Sequence, residues 1–262
     1  MKIGFVAACI AGVASGSACG GIFGFTGIYF QDFNGLAQSG SATIPGQGPH
    51  QLQGVLGNVG MEGWYGANFG GTSPNTEFRA QDGSLAGASG RGLISFGSTG
   101  SADRALGILP TSNQVPSFGL VLVNNTSDVF TALDISFIGE QWRAGGANIP
   151  NVLSFSYGFG TSLLDATTAF SSLDFATPFL GGGEMALNGN DPLFQSAIAN
   201  VITGIRWAPG ESLVLRWDMA DLPGQDNGLA IDDLMIVGII PAPGGFALLG
   251  LAGLAAARRR RR

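Results

Sequence analysis

Asp218, Asp221, Asp226, Asp232 and Asp233, with Asn227 among them, form the densest run of oxygen donors in the sequence. Calcium is a hard cation that takes about six to eight oxygen ligands, so aspartates on adjacent loops suit it. Asp218, Asp221 and Asp226 are the candidate set for a structural calcium. The competing reading is turn chemistry, because Asp and Asn side chains bond their own backbone. The stretch "DMADLPGQDNG" has neither EF-hand spacing nor a glycine-rich calcium repeat.

Paired carboxylates also serve glycoside hydrolysis, and Glu140 and Glu184 are the obvious glutamates for it. Neither stands in a repeated acidic motif. In "GEQWR" a strand would send Glu140 and Trp142 to one face and Gln141 and Arg143 to the other, where Arg143 could hold a carboxylate bidentately. Sugar stacking needs flat, exposed aromatic faces. Trp64 and Tyr65, between glycines in "EGWYGANFGG", are the candidate ligand-binding pair, whereas Trp217 aligns with Leu213 and Leu215 and reads as core. His50 is the only histidine, sits in a loop by composition, and cannot build a histidine-rich metal site. No nucleophile elbow, Walker loop or dinucleotide fingerprint occurs, so no catalytic residue is assigned and the chain reads as a non-enzyme.

The elements that must position these groups are strands. "NVLSFSYGFG" sends Leu153, Phe155, Tyr157 and Phe159 to one face, and "ALDISFIGEQW" does the same with Leu133, Ile135 and Phe137. "LAIDDLMIVG" aligns Leu229, Ile231, Met235 and Val237, with Asp233 as the exception on that face. "GLVLVNNTSDVF" reads as two strands joined at Asn124-Asn125. "DPLFQSAIANVITGI" suits a short helix or a strand equally. Short strands between turn clusters, without a repeat period, predict an all-β fold over residues 22–238: an antiparallel β-sandwich, jelly-roll-like.

Charge limits the partners. Between Gly20 and Ala257 six arginines face all eighteen carboxylates, a formal −12 that repels phosphate backbones and excludes nucleic acid. Cys9 and Cys19 are the only cysteines, so the body has no disulfide framework and depends on sheet packing. Low lysine and abundant Asn, Ser, Thr and Gly suit an exported protein that meets divalent cations or neutral glycans.

Both ends read as processing signals. Residues 1–18 carry Lys2, an apolar run and small residues before a cleavage point after Ala18, the pattern of a signal peptide handled by the export translocon and signal peptidase. At the other end Pro241, Ala242, Pro243 and Gly244 precede an apolar run, residues 244–257, closed by Arg258, Arg259, Arg260, Arg261 and Arg262. As a helix that run would span about 21 Å, short of the ~30 Å hydrocarbon core, and the arginines remedy part of the deficit by snorkelling. They also fix a cytoplasmic end.

This order resembles the PEP-CTERM sorting signal, with Ala242 in place of the central glutamate. The resemblance covers residues 241–262 and implies an exosortase-type membrane peptidase as partner, a transient inner-membrane anchor through the transmembrane helix, and release to the cell surface or extracellular matrix of biofilms. In the body, "YFQDFNGLA", "GEQWR", "LDFATPF" and "LRWDMADLPGQDNGLAIDDLMIVG" resemble an exported bacterial β-sandwich module that accompanies such tails. "GLAIDDL" is similar to the last strand of jelly-roll carbohydrate-binding and adhesion domains. The expected function is non-enzymatic binding of polysaccharide or matrix components; the alternative is a secreted glycan hydrolase or lyase.

Overall fold

The computed structural model describes residues 21–240. The signal peptide expected over residues 1–18 and the sorting segment expected over residues 241–262, from Pro241 and Ala242 through Arg262, lie outside the described residues. Seventeen strands follow one another: β1 (Phe23–Phe25), β2 (Ile28–Gln31), β3 (Ser41–Pro45), β4 (His50–Gln51), β5 (Trp64–Ala67), β6 (Asn75–Gln81), β7 (Gly92–Phe96), β8 (Ala105–Leu109) and β9 (Ser117–Asn124). The second half holds β10 (Phe130–Gly145), β11 (Val152–Phe159), β12 (Thr168–Ala169), β13 (Phe175–Ala176), β14 (Glu184–Ala186), β15 (Gln195–Trp207), β16 (Ser212–Asp218) and β17 (Gly228–Ile239). Among the described residues the only α-helix is the single turn Gly87–Gly90.

The strands form two sheets. The first runs β12-β11-β16-β9-β5-β4, with β1 also on β9 and β13 on β11. The second runs β14-β10-β17-β8-β7-β6-β3, with β15 on β10 and β2 on β17. Most neighbours are antiparallel, as expected, but β1–β9 and β6–β7 are parallel. The ambiguous stretch after Asp191 is strand β15, where β-branched residues prefer the pleated surface. Asn124-Asn125 does not close a hairpin: β9 lies in the first sheet and β10 in the second, so this connection crosses the sandwich.

Between the sheets, alternation delivers the core. Leu153, Phe155, Leu213, Leu215, Trp217, Leu133, Ile135 and Phe137 are all buried there. Trp217 sits at its centre, stacked on Phe118 at 5.6 Å and met edge-on by Phe155 at 5.1 Å and Phe137 at 5.8 Å. Aromatic pairs in these geometries add to their burial energy.

One strand breaks the expected alternation. On β17, Met235 pairs with Ser136 but Asp232 pairs with Ile138, so β17 carries one residue more than β10 does across this step. Asp233 absorbs it with φ of 49°, a left-handed conformation that Asp tolerates. The parity reverses across this bulge: Leu229 and Ile231 face the core before it, Leu234 and Ile236 after it, and Met235 and Val237 turn outward.

Candidate functional site

On β16 the inward positions are taken by Leu213, Leu215 and Trp217, so Arg216 and Asp218 must stand on the outer face of the first sheet. On β11 the same logic puts Ser154 and Ser156 outward between Leu153, Phe155 and Tyr157. The register then lays them side by side: Ser154 opposite Asp218, and Ser156 opposite Arg216. On the other flank Asp218 faces Ser117 and Arg216 faces Gly119.

The segment after β11 folds back over this face. Gly158 permits it, since a Cβ there would lie 2.0 Å from the Asp165 carbonyl oxygen; a Cβ on Gly119 would meet a Leu163 methyl at 2.7 Å. A side chain at Gly158 would push the flap off the sheet, whereas one at Gly119 would first meet the Leu215 carbonyl of β16 at 2.2 Å. Ser162 and Asp165 close the flap with a reciprocal capping box around the turn Leu163–Asp165. Between flap and sheet runs a groove of about 380 Å³, lined by Ser154, Ser156, Thr167, Arg216 and Asp218.

Arg216 donates from Nε to Asp218 Oδ2 at 2.7 Å and from Nη1 to the Leu163 carbonyl at 2.8 Å. Asp218 also accepts the Ser117 hydroxyl. The guanidinium is therefore held by two bonds, with donors to spare. Ser156 differs from its neighbours: it is 8 % exposed, and its hydroxyl has no hydrogen-bond partner in the protein. A buried hydroxyl without a partner is costly. Ser156 borders the groove, but its Oγ is itself closed to solvent, so a ligand reaches it only when the groove lining shifts. The arrangement offers a hydroxyl, a planar donor and a carboxylate on neighbouring strands ~5 Å apart. Such alternating donors and acceptors match polyol hydroxyls.

The proposed calcium set is not assembled. Asp218 belongs to the groove, paired with Arg216. Asp226 is buried at the end of the sandwich, accepting from Asn151 Nδ2 at 2.6 Å and from the Leu222 backbone at 3.2 Å. Burial pushes its carboxyl up to about 7, and the nearby Asp221 adds to the rise. Such an acid braces the loop before β17. Asp221 and Asp226 border a separate cavity of about 370 Å³ with Thr111, Ser112 and Gln225. Among the described residues no three His, Cys, Asp or Glu side chains are grouped to hold a metal.

The expected stacking platform is also displaced. Trp64 is fully buried, donating from Nε1 to the Tyr29 hydroxyl at 2.8 Å, and Tyr65 is 8 % exposed in a small apolar cluster on the outer face of the first sheet. A ring enclosed on both faces cannot stack on a sugar. His50 lies on the short strand β4, its Nε2 3.0 Å from the Gly46 carbonyl.

Glu140 and Trp142 do share a face, joined by a 2.8 Å bond from Trp142 Nε1 to Glu140 Oε2. Beyond Gln141 the register with β17 slips. Arg143 reaches Glu184 through one nitrogen at 2.8 Å and the Gly83 carbonyl at 3.1 Å, so the ion pair forms without the bidentate fork. The two glutamates are thus committed differently: Glu184 is half-exposed on Arg143, and Glu140 is buried. Burial pushes Glu140 up to about 7 and Asp232 up to about 8, the latter raised further by the charge of Glu140.

No family model matches the chain, and no curated protein does. Solved structures are similar to it. A xylan-binding module, CBM15, aligns with 78 % of this chain and 99 % of its own at 12 % identity and a TM-score of 0.38. The K1 cleaved adhesin domain of Lys-gingipain from Porphyromonas gingivalis W83 aligns over 81 % and 98 % at 12 % identity and 0.34. The CBM22-1 xylan-binding domain of Paenibacillus barcinonensis Xyn10C aligns over 60 % and 86 % at 12 % identity and 0.31. At these scores the likeness carries no argument about what this chain binds.

The sequence singled out Asp218 but not its companions. Ser154, Ser156 and Arg216 become a site only when β11 pairs with β16, across a separation no local pattern encodes. Their alternation against Leu153, Phe155, Leu215 and Trp217 was the available signal.

Proposed function

We propose that this chain is an exported, non-enzymatic jelly-roll-type sandwich that binds neutral polysaccharide through the groove between β11, β16 and the flap over residues 163–169. The observation that carries the reading is the unpartnered Ser156 hydroxyl beside the fixed Arg216–Asp218 pair. A sugar hydroxyl that bonds Ser156 removes a desolvation cost the unliganded protein bears, so binding gains where the fold loses. The formal −12 of the body disfavours anionic glycans and leaves neutral ones. The composition of both ends supports export, a transient membrane anchor over residues 244–257, processing by an exosortase-type peptidase, and delivery to the cell surface or biofilm matrix.

A glycan array probed with the protein, run beside a reducing-end release assay on the same polysaccharides, tests the reading. Binding to neutral chains without release is the expected result. Release of reducing ends would establish the hydrolase alternative, and an array with no neutral ligand would remove the binding reading.

A further inference from the structure

We infer that the outer face of β2 and β17 is a membrane-apposition surface, on which the body lies against the bilayer while the C-terminal segment is inserted. The inference rests on the membrane-anchor reading of residues 244–257. Among the described residues no helix is long and apolar enough to cross a membrane.

The bulge at Asp233 creates the surface. By reversing the parity of β17 it turns Met235, Val237 and Ile239 outward. The register places Phe30 directly opposite Met235 and Ile28 directly opposite Val237. Ile28 and Phe30 are 58 % and 59 % exposed, Met235 is 41 % exposed, and Ile239 and Ile240 are 38 % and 50 % exposed. Tyr29 and Gln31, the alternate residues of β2, are buried. These residues form one contiguous apolar area on adjacent strands, and such a patch on a soluble face marks an interaction surface.

Where the chain leaves the sheet identifies the occupant. β17 ends at Ile239, within the patch, and only Pro241, Ala242 and Pro243 separate Ile240 from the apolar run. Three extended residues reach about 10 Å, so an inserted tail holds the Ile239–Ile240 end of the patch within that distance of the bilayer. Asp134, between Val237 and Val201 in the register, is exposed and borders the patch. Its charge limits contact to the headgroup and upper acyl region, the depth at which amphipathic surfaces lie.

The full chain is reconstituted into phosphatidylcholine vesicles with acyl-chain-brominated lipid, carrying a genetically encoded fluorescent amino acid at Phe30 or, as control, at Ser154 on the opposite sheet. Quenching at position 30 is expected to exceed that at position 154 by about threefold or more, and Met235→Glu should reduce it toward the control. A chain that floats with vesicles but is quenched equally at both positions overturns the inference and leaves the anchor standing. A chain that does not float with vesicles overturns the anchor and the inference together. Concentration-dependent shielding of position 30 without lipid quenching assigns the face to a second copy of the chain and overturns the inference.

Discussion

Trp142 Nε1 donates a 2.8 Å hydrogen bond to Oε2 of Glu140, two residues earlier on β10, in a buried setting where the charges of Asp103 and Asp233 also act on the carboxyl. Phe96 stacks on the same indole at 6.1 Å, 7° from parallel. The bond favours the ionised carboxylate, but burial opposes it more strongly, and the acid ends near 7.

The consequence is an inverted acid dependence. In an unfolded chain Glu and Asp titrate near ~4, whereas in the fold Glu140 titrates at about 7 and Asp232 at about 8. Between these values the folded protein holds protons the unfolded chain has released, so stability falls as pH rises through this window. The melting temperature should be higher at about pH 5 than at about pH 8.5. The paired change Glu140→Gln with Asp232→Asn should raise stability at the alkaline end by roughly 2–4 kcal/mol and flatten the profile. Thermal melts across that range check it; a wild-type profile that rises with pH contradicts it.

Two core tryptophans of equal burial should respond differently to truncation. Trp64 Nε1 bonds the Tyr29 hydroxyl at 2.8 Å, whereas Trp217 Nε1 has no hydrogen-bond partner in the protein. Trp64→Phe removes a buried hydrogen bond together with volume; Trp217→Phe removes an unsatisfied donor. The second should cost about 1–2 kcal/mol less than the first in chemical denaturation. Equal losses would show that packing alone governs both sites.

Asn227 ties its own loop to β10 and to the connection between β10 and β11. Its Oδ1 accepts from the Gly145 backbone at 3.0 Å and from Gln141 Nε2 at 3.2 Å, and its Nδ2 donates to the Ile149 carbonyl at 3.1 Å and to Asn151 Oδ1 at 2.9 Å. Asn227→Ala should destabilise by about 3 kcal/mol, because several buried polar groups lose their partner at once. Urea titration measures this, and a loss under about 1 kcal/mol would mean that water replaces the amide.

Calcium should do little here. With Asp218 on Arg216 and Asp226 on Asn151, added calcium or its chelation should leave the melting temperature unchanged. A calcium-dependent rise that disappears in Asp226→Ala would reinstate the metal site.

Much of the fold was legible because its core strands alternate without interruption, as at Leu213, Leu215 and Trp217. Where the backbone departs from the pleat, pattern fails: Asp233 in the left-handed region reverses β17, and no residue type announces that in advance. The glycines around Trp64 and Tyr65 misled for another reason. They looked like an exposed turn, yet Gly63 lies against the Val121 carbonyl, where a Cβ would come within 2.8 Å, and Gly66 against Leu93, where it would come within 2.2 Å. Glycine there marks close approach in the core, which draws the tryptophan inward.

The groove is tested most directly by titrating the polysaccharide identified on the array into the wild-type protein and into Ser156→Ala. The hydroxyl removed has no partner in the fold, so the variant should melt at the same temperature or slightly higher. Calorimetry should nonetheless show binding weakened by about five- to tenfold, the worth of one buried hydrogen bond to the ligand. Undiminished affinity in Ser156→Ala, together with undiminished affinity in Arg216→Ala, would contradict the assignment of this groove.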